Sequence, residues 1–96
     1  SNREILVYLI NTTLRKVEGG RNFIIHVSKE DYPFVSSQKK QLATVSSSSN
    51  TVDVVEDLNL AKGECFIETD GGIFDCGLGT QLKQLSNMLR MLSFEN

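Results

Sequence analysis

The segment DLNLAKGECFIETDGGIFDCGLGTQL, residues 57–82, concentrates the side chains of this sequence that could do chemistry. It holds five glycines, five acidic residues and both cysteines of the chain. Such a composition suits a phosphate-binding turn, a metal site, a pair of catalytic carboxylates, or only a tight hairpin that leads into a helix. Each of these needs its residues at a particular spacing, so the spacing decides among them.

A phosphate-binding turn is the first alternative. GLGTQL, residues 77–82, follows a predicted strand and opens a predicted helix, as a dinucleotide-binding fingerprint does. However, Leu82 stands where the third glycine belongs, and no Walker lysine follows. We therefore interpret Gly77 and Gly79 as residues that ease the bend from strand to helix.

A metal site is the second alternative. The soft ligands are Cys65, Cys76 and His26, and they show neither CxxC nor HxxxH spacing. Calcium needs alternating oxygen ligands around a turn, and ETDGG has too few. The two cysteines are placed to lie opposite one another across a hairpin, where a small buried apolar role is favoured over ligation or a disulfide. We predict no metal and no cofactor.

Acid–base or nucleophilic catalysis is the third alternative. The single histidine, His26, lies on a predicted strand with no serine or cysteine partner at a recognisable spacing, which favours a structural role. Glu68 and Asp75 share a predicted sheet face and remain a possible carboxylate pair. A small metal-dependent or acid/base enzyme module using Glu68, Asp75 and His26 is therefore kept as an alternative, which a pocket joining the three side chains would favour.

The composition is that of one soluble globular domain. The chain has 96 residues, 40% apolar and 23% charged, with a net charge of −2. That charge gives no reason to expect nucleic acid or an anionic membrane as a partner, and the longest apolar run, residues 5–10, is too short to cross a bilayer. Two cysteines do not make a disulfide framework, which favours a reducing, cytosolic setting. Residues 1–2 resemble a tag remnant, and we expect a single domain over residues 1–96 cut from a longer protein.

Acidic residues are concentrated in the middle of the chain. Residues 51–75 carry one basic residue, Lys62, against seven acids. These acids are Asp53, Glu56, Asp57, Glu64, Glu68, Asp70 and Asp75. The strip is interpreted as a solvated sheet face, or as a surface that steers a basic partner.

The hydrophobic pattern predicts an α/β (α+β) fold of order α-β-α-β-β-α, with a small mixed sheet of about four strands packed with three helices. A helix is expected over residues 3–18, ended by Gly19-Gly20. NFIIHVS, residues 22–28, is a strand with apolar residues on both faces, which indicates a central position. Ser28 heads SKED, a capping-box-like start for a helix to about residue 42. After the polar loop at residues 46–50, TVDVVED is a second strand, joined by a parallel crossover.

The remaining elements are a hairpin and a final helix. GECFIETD and GIFDCGL are predicted to meet at residues 70–72 in a two-residue primed turn, whose central positions both need positive φ. Cys65, Ile67, Thr69, Phe74, Cys76 and Leu78 are then expected on one face, and Phe66, Glu68, Ile73 and Asp75 on the other. The last helix is predicted over residues 80–94.

The first and last helices carry more apolar surface than one small sheet needs. Leu82, Leu85, Leu89 and Leu92 are spaced 3, 4 and 3 residues apart, and Val7, Ile10, Leu14 and Val17 repeat in the same way. Exposed apolar stripes on small domains usually mark partners. We predict an interaction domain whose apolar contacts, in the core or between subunits, come from Val7, Ile10, Leu14, Leu85, Met88, Leu89, Met91, Leu92 and Phe94.

The segment VVEDLNLAKGECFIETDGGIFDCGLGTQLKQL resembles the signature of the type III secretion stator family. This family includes the flagellar FliH proteins and their injectisome counterparts, distant relatives of a peripheral-stalk protein of V-type ATPases. The residues that carry the resemblance are Asp57, Gly63, Cys65, Ile67, Glu68, Thr69, Gly72, Ile73, Asp75, Gln81 and Leu82. The sequence departs from the family pattern at CGLG, where small residues followed by acids are more usual.

The resemblance implies the C-terminal globular domain of a stator protein, preceded in the full protein by a long helical stalk. It implies a cytoplasmic homodimer at the face of a secretion apparatus that binds the N-terminal region of the secretion ATPase, links it to the cytoplasmic ring protein and modulates ATP hydrolysis. It implies no catalytic residues. A purely structural homodimer without an ATPase partner is the other alternative, because an apolar stripe does not name what it binds.

Overall fold

A computed structural model of the chain describes residues 2–17, 21–45 and 51–94. Its elements are α1 (Asn2–Lys16), β1 (Asn22–Val27), α2 (Tyr32–Ser37), α3 (Lys39–Ala43), β2 (Thr51–Glu56), β3 (Cys65–Thr69), β4 (Gly72–Asp75) and α4 (Leu78–Phe94). The predicted mixed α/β fold with a four-stranded sheet is confirmed. The predicted Gly19-Gly20 helix stop and the loop at residues 46–50 lie outside the described residues.

The second predicted helix is divided into two short ones. Gln38, with φ −96° and ψ 5°, separates α2 from α3. Its N–H donates to the carbonyl of Val35 at 3.0 Å, an i to i−3 bond that tightens the last turn of α2. The helix also starts later than predicted, at Tyr32. Pro33 then lies in the first turn, where its missing N–H costs nothing.

The sheet has the strand order β2-β1-β3-β4. β1 pairs with β2 in parallel and with β3 in antiparallel, and β3 pairs with β4 in antiparallel. The central position of β1 and the parallel crossover to β2 are therefore confirmed. β4 is an edge strand, and all four of its residues are exposed.

The core lies between one face of the sheet and the helices. From β1, Phe23, Ile25 and Val27 point into it and are at most 2% exposed. The other buried apolar residues are Leu6, Ile10, Leu14, Val35, Leu42, Val52, Cys65, Ile67 and Cys76. Ile10 and Leu14 are thus core residues, and Val7 packs against the core while partly exposed.

The turn of the β3–β4 hairpin forms where predicted but not in the predicted conformation. Thr69 pairs with Gly72, so Asp70 and Gly71 are its central residues. Neither has positive φ; among the described residues only Gly63 (+87°) and Gly72 (+144°) do. The Thr69 side chain holds the turn instead, because its Oγ1 accepts the N–H of Gly71 at 3.0 Å and donates to the carbonyl of Gly72 at 3.2 Å.

Helix α4 begins at Leu78, two residues before its predicted start. The carboxylate of Asp75 accepts the N–H of Gly77 at 2.9 Å, and the carbonyl of Gly77 accepts the N–H of Gln81 at 3.2 Å. These bonds satisfy backbone groups at the point where strand turns into helix. No helix in the described part of the chain is long and apolar enough to span a membrane.

Candidate partner-binding surface

The outer turns of α4 carry an apolar stripe that nothing in the described chain covers. Its side chains are 52–67% exposed, and they are Leu82, Leu85, Met88, Leu89, Met91 and Leu92. Lys83, Asn87 and Arg90 lie on the opposite side of the helix, at spacings of four and three residues. We call these six apolar residues the α4 stripe. The side chain of Phe94, predicted with them, lies outside the described residues.

Only the root of α4 is fixed to the body of the domain. The N–H of Leu78 donates to the carbonyl of Gly63 at 3.0 Å, and the Leu78 side chain lies over Gly63, where a Cβ would stand 3.4 Å from Leu78 Cδ1. Beyond this root the 17-residue helix runs for about 25 Å. The two terminal helices therefore differ: α1 buries its apolar side, and α4 presents its own to solvent.

The sheet face turned away from the core is acidic over an apolar base. Two rows of neighbours cross it: Val55, His26, Phe66 and Asp75 form one, and Asp53, Ile24, Glu68 and Ile73 form the other. His26 Nε2 lies 3.0 Å from Glu68 Oε1, and the imidazole stacks on the ring of Phe66 with centroids 4.2 Å apart. We call this surface the open sheet face.

The open sheet face does not assemble the alternative enzyme site. His26 and Glu68 are in contact, but Phe66 stands between His26 and Asp75 in the row across the sheet. The Asp75 carboxylate is used locally, on the N–H of Gly77. In residues 2–17, 21–45 and 51–94 there is also no group of three or more His, Cys, Asp or Glu that could hold a metal ion.

The positions that carry the stator-family resemblance mostly shape the backbone. Asp57 Oδ1 accepts the N–H of Asn59, Thr69 and Gly72 form the hairpin turn, and Gly63 adopts a positive φ that a side chain would strain. Glu68 binds His26, Cys65 is buried, and the backbones of Asp75 and Gln81 flank the root of α4. The motif thus builds the hairpin and the seat of α4.

Gly77 and Gly79 give a matched pair of predictions. A Cβ at Gly77 would lie 3.1 Å from Cys65 N and Gly63 O, backbone atoms that cannot rotate away. Gly77→Ala should therefore lower the free energy of unfolding by about 1–3 kcal/mol. A Cβ at Gly79 meets nothing within 4 Å. Gly79→Ala should raise stability by about 0.5 kcal/mol, because alanine orders a helix at a lower entropic cost. Urea unfolding of both variants checks the opposite signs, and a Gly77→Ala variant as stable as the parent would contradict the close packing.

The two cysteines lie opposite each other, as the hairpin predicted. Their Sγ atoms are 3.2 Å apart, both side chains are buried, and the N–H of Cys76 donates to the carbonyl of Cys65 at 3.1 Å. The hydrogen bond between the two sulfurs, and then burial, raise the pKa of the Cys65 thiol well above its usual range.

This shift predicts a loss of stability in alkali. Above pH 9.0, the ordinary pKa of the thiol, an unfolded chain ionises Cys65 while the folded chain keeps it protonated. The unfolded state then binds fewer protons, so the free energy of unfolding falls as pH rises, by up to about 1.4 kcal/mol per pH unit. Urea unfolding between pH 8 and 10.5 should show this slope, and Cys65→Ala should be less steep by the same amount. An unchanged slope would contradict the prediction.

One buried carboxylate, Asp31, was not predicted from the sequence. It is 4% exposed; its Oδ2 accepts the hydroxyl of Ser28 at 3.1 Å and the N–H of Gly63 at 2.7 Å, and its own N–H donates to Ser28 Oγ at 3.1 Å. The capping-box pattern at Ser28 signals the local half of this network. The bond to Gly63, 32 residues away, leaves no periodic signal in the sequence.

Comparison with known proteins places the chain in a family. The family model described as flagellar assembly protein FliH matches residues 1–85. The flagellar assembly protein FliH of Borreliella burgdorferi is 26% identical over 93 residues, which cover 97% of this chain and 30% of the relative. The probable flagellar assembly protein FliH of Bacillus subtilis is 26% identical over 88 residues, which cover 92% of this chain and 42% of the relative. The chain thus spans less than half the length of these curated relatives. Since the family match takes in the whole sheet and the root of α4, the chain belongs to the FliH family of flagellar assembly proteins.

Proposed function

We propose that this chain is a non-enzymatic stator module that dimerises and binds the N-terminal region of a type III secretion ATPase. In this role it links the ATPase to the cytoplasmic ring protein and modulates ATP hydrolysis during protein export, at the cytoplasmic face of the apparatus. Membership of the FliH family supports the assembly role. The observation that carries the binding role is the α4 stripe, six large apolar side chains that are more than half exposed.

The spacing of the α4 stripe favours a second helix as its occupant. Leu82, Leu85, Leu89 and Leu92 alternate at three and four residues, the a/d spacing of a coiled-coil seam. Two heptads are too few to pair stably by themselves, since coiled coils usually need three or four. A helix pair supported by the adjoining domain bodies satisfies both facts. We therefore propose that two copies pair along the leucines of α4.

The methionines beside this seam suit the ATPase. Met88 and Met91 are 61% and 67% exposed and flank the leucine seam on one side. Methionine adapts its shape to varied partners because its side chain is unbranched and polarisable. The acidic strip on and around the open sheet face adds a negative field that would steer a basic segment of the partner.

Co-elution tests the proposal. The chain, and a longer version with the residues that precede it in the full protein, are mixed with the export ATPase of the same organism and passed through size-exclusion chromatography with light scattering. ATP hydrolysis is measured in the same fractions. A complex containing two copies of the chain, with altered turnover, is expected. A monomer of 10.7 kDa that forms no complex even in the longer version would overturn the proposal.

The functional surface is checked by a matched pair of variants in the same assay. Met88→Glu places a charge on the α4 stripe, and Asn87→Glu places the same charge on the polar side of the helix. Met88→Glu is expected to weaken ATPase binding at least tenfold, because a carboxylate would have to be desolvated in an apolar contact. Asn87→Glu should bind as the parent does. Equal loss in both variants would point to net charge rather than to the stripe.

A further inference from the structure

We propose that Cys65 and Cys76 form a redox-modification site, which closes reversibly into an intramolecular disulfide and locks the root of α4 to β3. They are the only two cysteines of the chain. Neither the assembly role nor the proposed ATPase contact uses them, so this site is independent of the proposed function.

The backbone already provides the geometry of a disulfide. Cys65 and Cys76 face each other across the antiparallel β3–β4 ladder, continuing the register that pairs Phe66 with Asp75. The bond from Cys76 N–H to the Cys65 carbonyl marks a hydrogen-bonded pair, in which Cα atoms lie about 5.5 Å apart. Disulfides span Cα separations of about 4.4–6.8 Å. With the sulfurs at 3.2 Å, side-chain rotation and a small backbone adjustment suffice to bring them to bonding distance.

The segment that carries Cys76 offers a route for an oxidant. Cys76 directly follows β4, a four-residue edge strand that is paired on one side only and is fully exposed. Both thiols are buried in the closed hairpin, so reaction waits for this strand to open. Edge strands of this length open at a lower free-energy cost than central ones, because fewer ladder bonds and apolar contacts are broken.

A low-molecular-weight disulfide such as oxidised glutathione is the oxidant. The thiolate of Cys76 attacks one of its sulfurs, forming a mixed disulfide and releasing one glutathione thiolate, which takes up a proton. The Cys65 thiolate then attacks the Cys76 sulfur and releases the second glutathione, which is also protonated. Two cysteine thiols lose two electrons, and one glutathione disulfide is reduced to two thiols. Excess reduced glutathione reverses both steps.

The position of the new bond gives it a structural consequence. Gly77 follows Cys76 and is closely packed on Cys65 N and Gly63 O, and Leu78, the first residue of α4, hydrogen-bonds Gly63. A bond between the two sulfurs would therefore fix the strand that ends at α4 to the strand beneath it. Opening of the hairpin, and with it release of the α4 root, would require reduction.

Redox titration with mass spectrometry tests the proposal. The chain is equilibrated in buffers with a stepped ratio of oxidised to reduced glutathione, unfolded in acid, and alkylated with N-ethylmaleimide. We expect a monomeric species that is lighter by two hydrogens and carries no maleimide to replace the doubly alkylated form in a single transition. Doubly alkylated chain, bis-glutathionylated chain or a disulfide-linked dimer as the main product at every ratio would overturn the proposal.

Single-cysteine variants supply the control. Cys65→Ala and Cys76→Ala should each yield only alkylated or glutathionylated chain, never the lighter species. In the parent, oxidation should raise Tm by about 10 °C, since the bond closes a short loop in the unfolded chain, and it should slow amide hydrogen exchange at Leu78. An oxidised chain with unchanged exchange at Leu78 would overturn the locking of α4.

Discussion

Replacing Leu89 with glutamate is expected to convert the dimer into a monomer while the fold stays intact. Leu89 lies in the middle of the α4 stripe and is 56% exposed in the single chain, so the substitution removes little from the core. In a symmetric dimer, two copies of the leucine are lost, each worth about 1.5–3 kcal/mol of apolar burial. Two carboxylates must also be desolvated for the helices to pair. The dissociation constant of the dimer should therefore rise by roughly 10²–10⁴-fold.

The measurement is sedimentation equilibrium on Leu89→Glu, beside circular dichroism for the fold. Asn87→Glu is the matched control, because it adds the same charge to the same helix on the polar side. It should change the free energy of association by no more than about 0.5 kcal/mol. A Leu89→Glu variant that remains dimeric would place the subunit contact elsewhere. Loss of the cooperative unfolding transition would instead show that α4 is held by its own chain.

The periodicity of the sequence identified the α4 stripe but not its exposure. A spacing of three and four residues tells which side of a helix is apolar, and the same pattern arises whether the cover is a sheet or another chain. For α1 the cover is the sheet, and Ile10 and Leu14 are buried; for α4 it lies outside the described residues of this chain. The order of strands and the central position of β1 could be predicted, because apolar residues on both faces and a parallel crossover leave few arrangements.

Details set by single hydrogen bonds were beyond the sequence. A primed turn was expected at Asp70 and Gly71 from residue type alone, whereas the Thr69 hydroxyl stabilises a turn without positive φ at either position. The second helix was expected to be continuous, but the local bond at Gln38 divides it. The carboxylate of Asp31 pairs with a backbone amide that lies far along the chain. Such contacts depend on the assembled fold, and no local pattern records them.

The Asp31 carboxylate gives the second large prediction, a loss of stability on Asp31→Ala. The substitution leaves the N–H of Gly63 and the hydroxyl of Ser28 without their acceptor at a site that is 4% exposed. Hydrogen bonds to a charged group contribute about 1.5–3 kcal/mol each, and a buried unpaired donor costs a similar amount. We expect the free energy of unfolding to fall by about 2–4 kcal/mol, with Tm lower by roughly 10–20 °C.

Thermal and urea unfolding measure this effect, and Glu30→Ala is the matched control. Glu30 is the preceding residue and is exposed, so its removal should cost no more than about 0.5 kcal/mol. Asp31→Asn keeps one acceptor oxygen and should fall between the two. An Asp31→Ala variant within about 0.5 kcal/mol of the parent, the effect of a neutral surface change, would show that water replaces the carboxylate.

The two large predictions can be separated at a single amide. Asp31 holds the N–H of Gly63, and the carbonyl of Gly63 in turn accepts the N–H of Leu78, the first residue of α4. Asp31→Ala should therefore speed hydrogen exchange at Leu78 by loosening the seat of the helix. Leu89→Glu acts more than two turns further along and should leave that exchange unchanged in the monomeric chain. If both variants lose the dimer but only Asp31→Ala speeds exchange at Leu78, then the stripe provides the contact and the Asp31 network sets the direction in which α4 presents it.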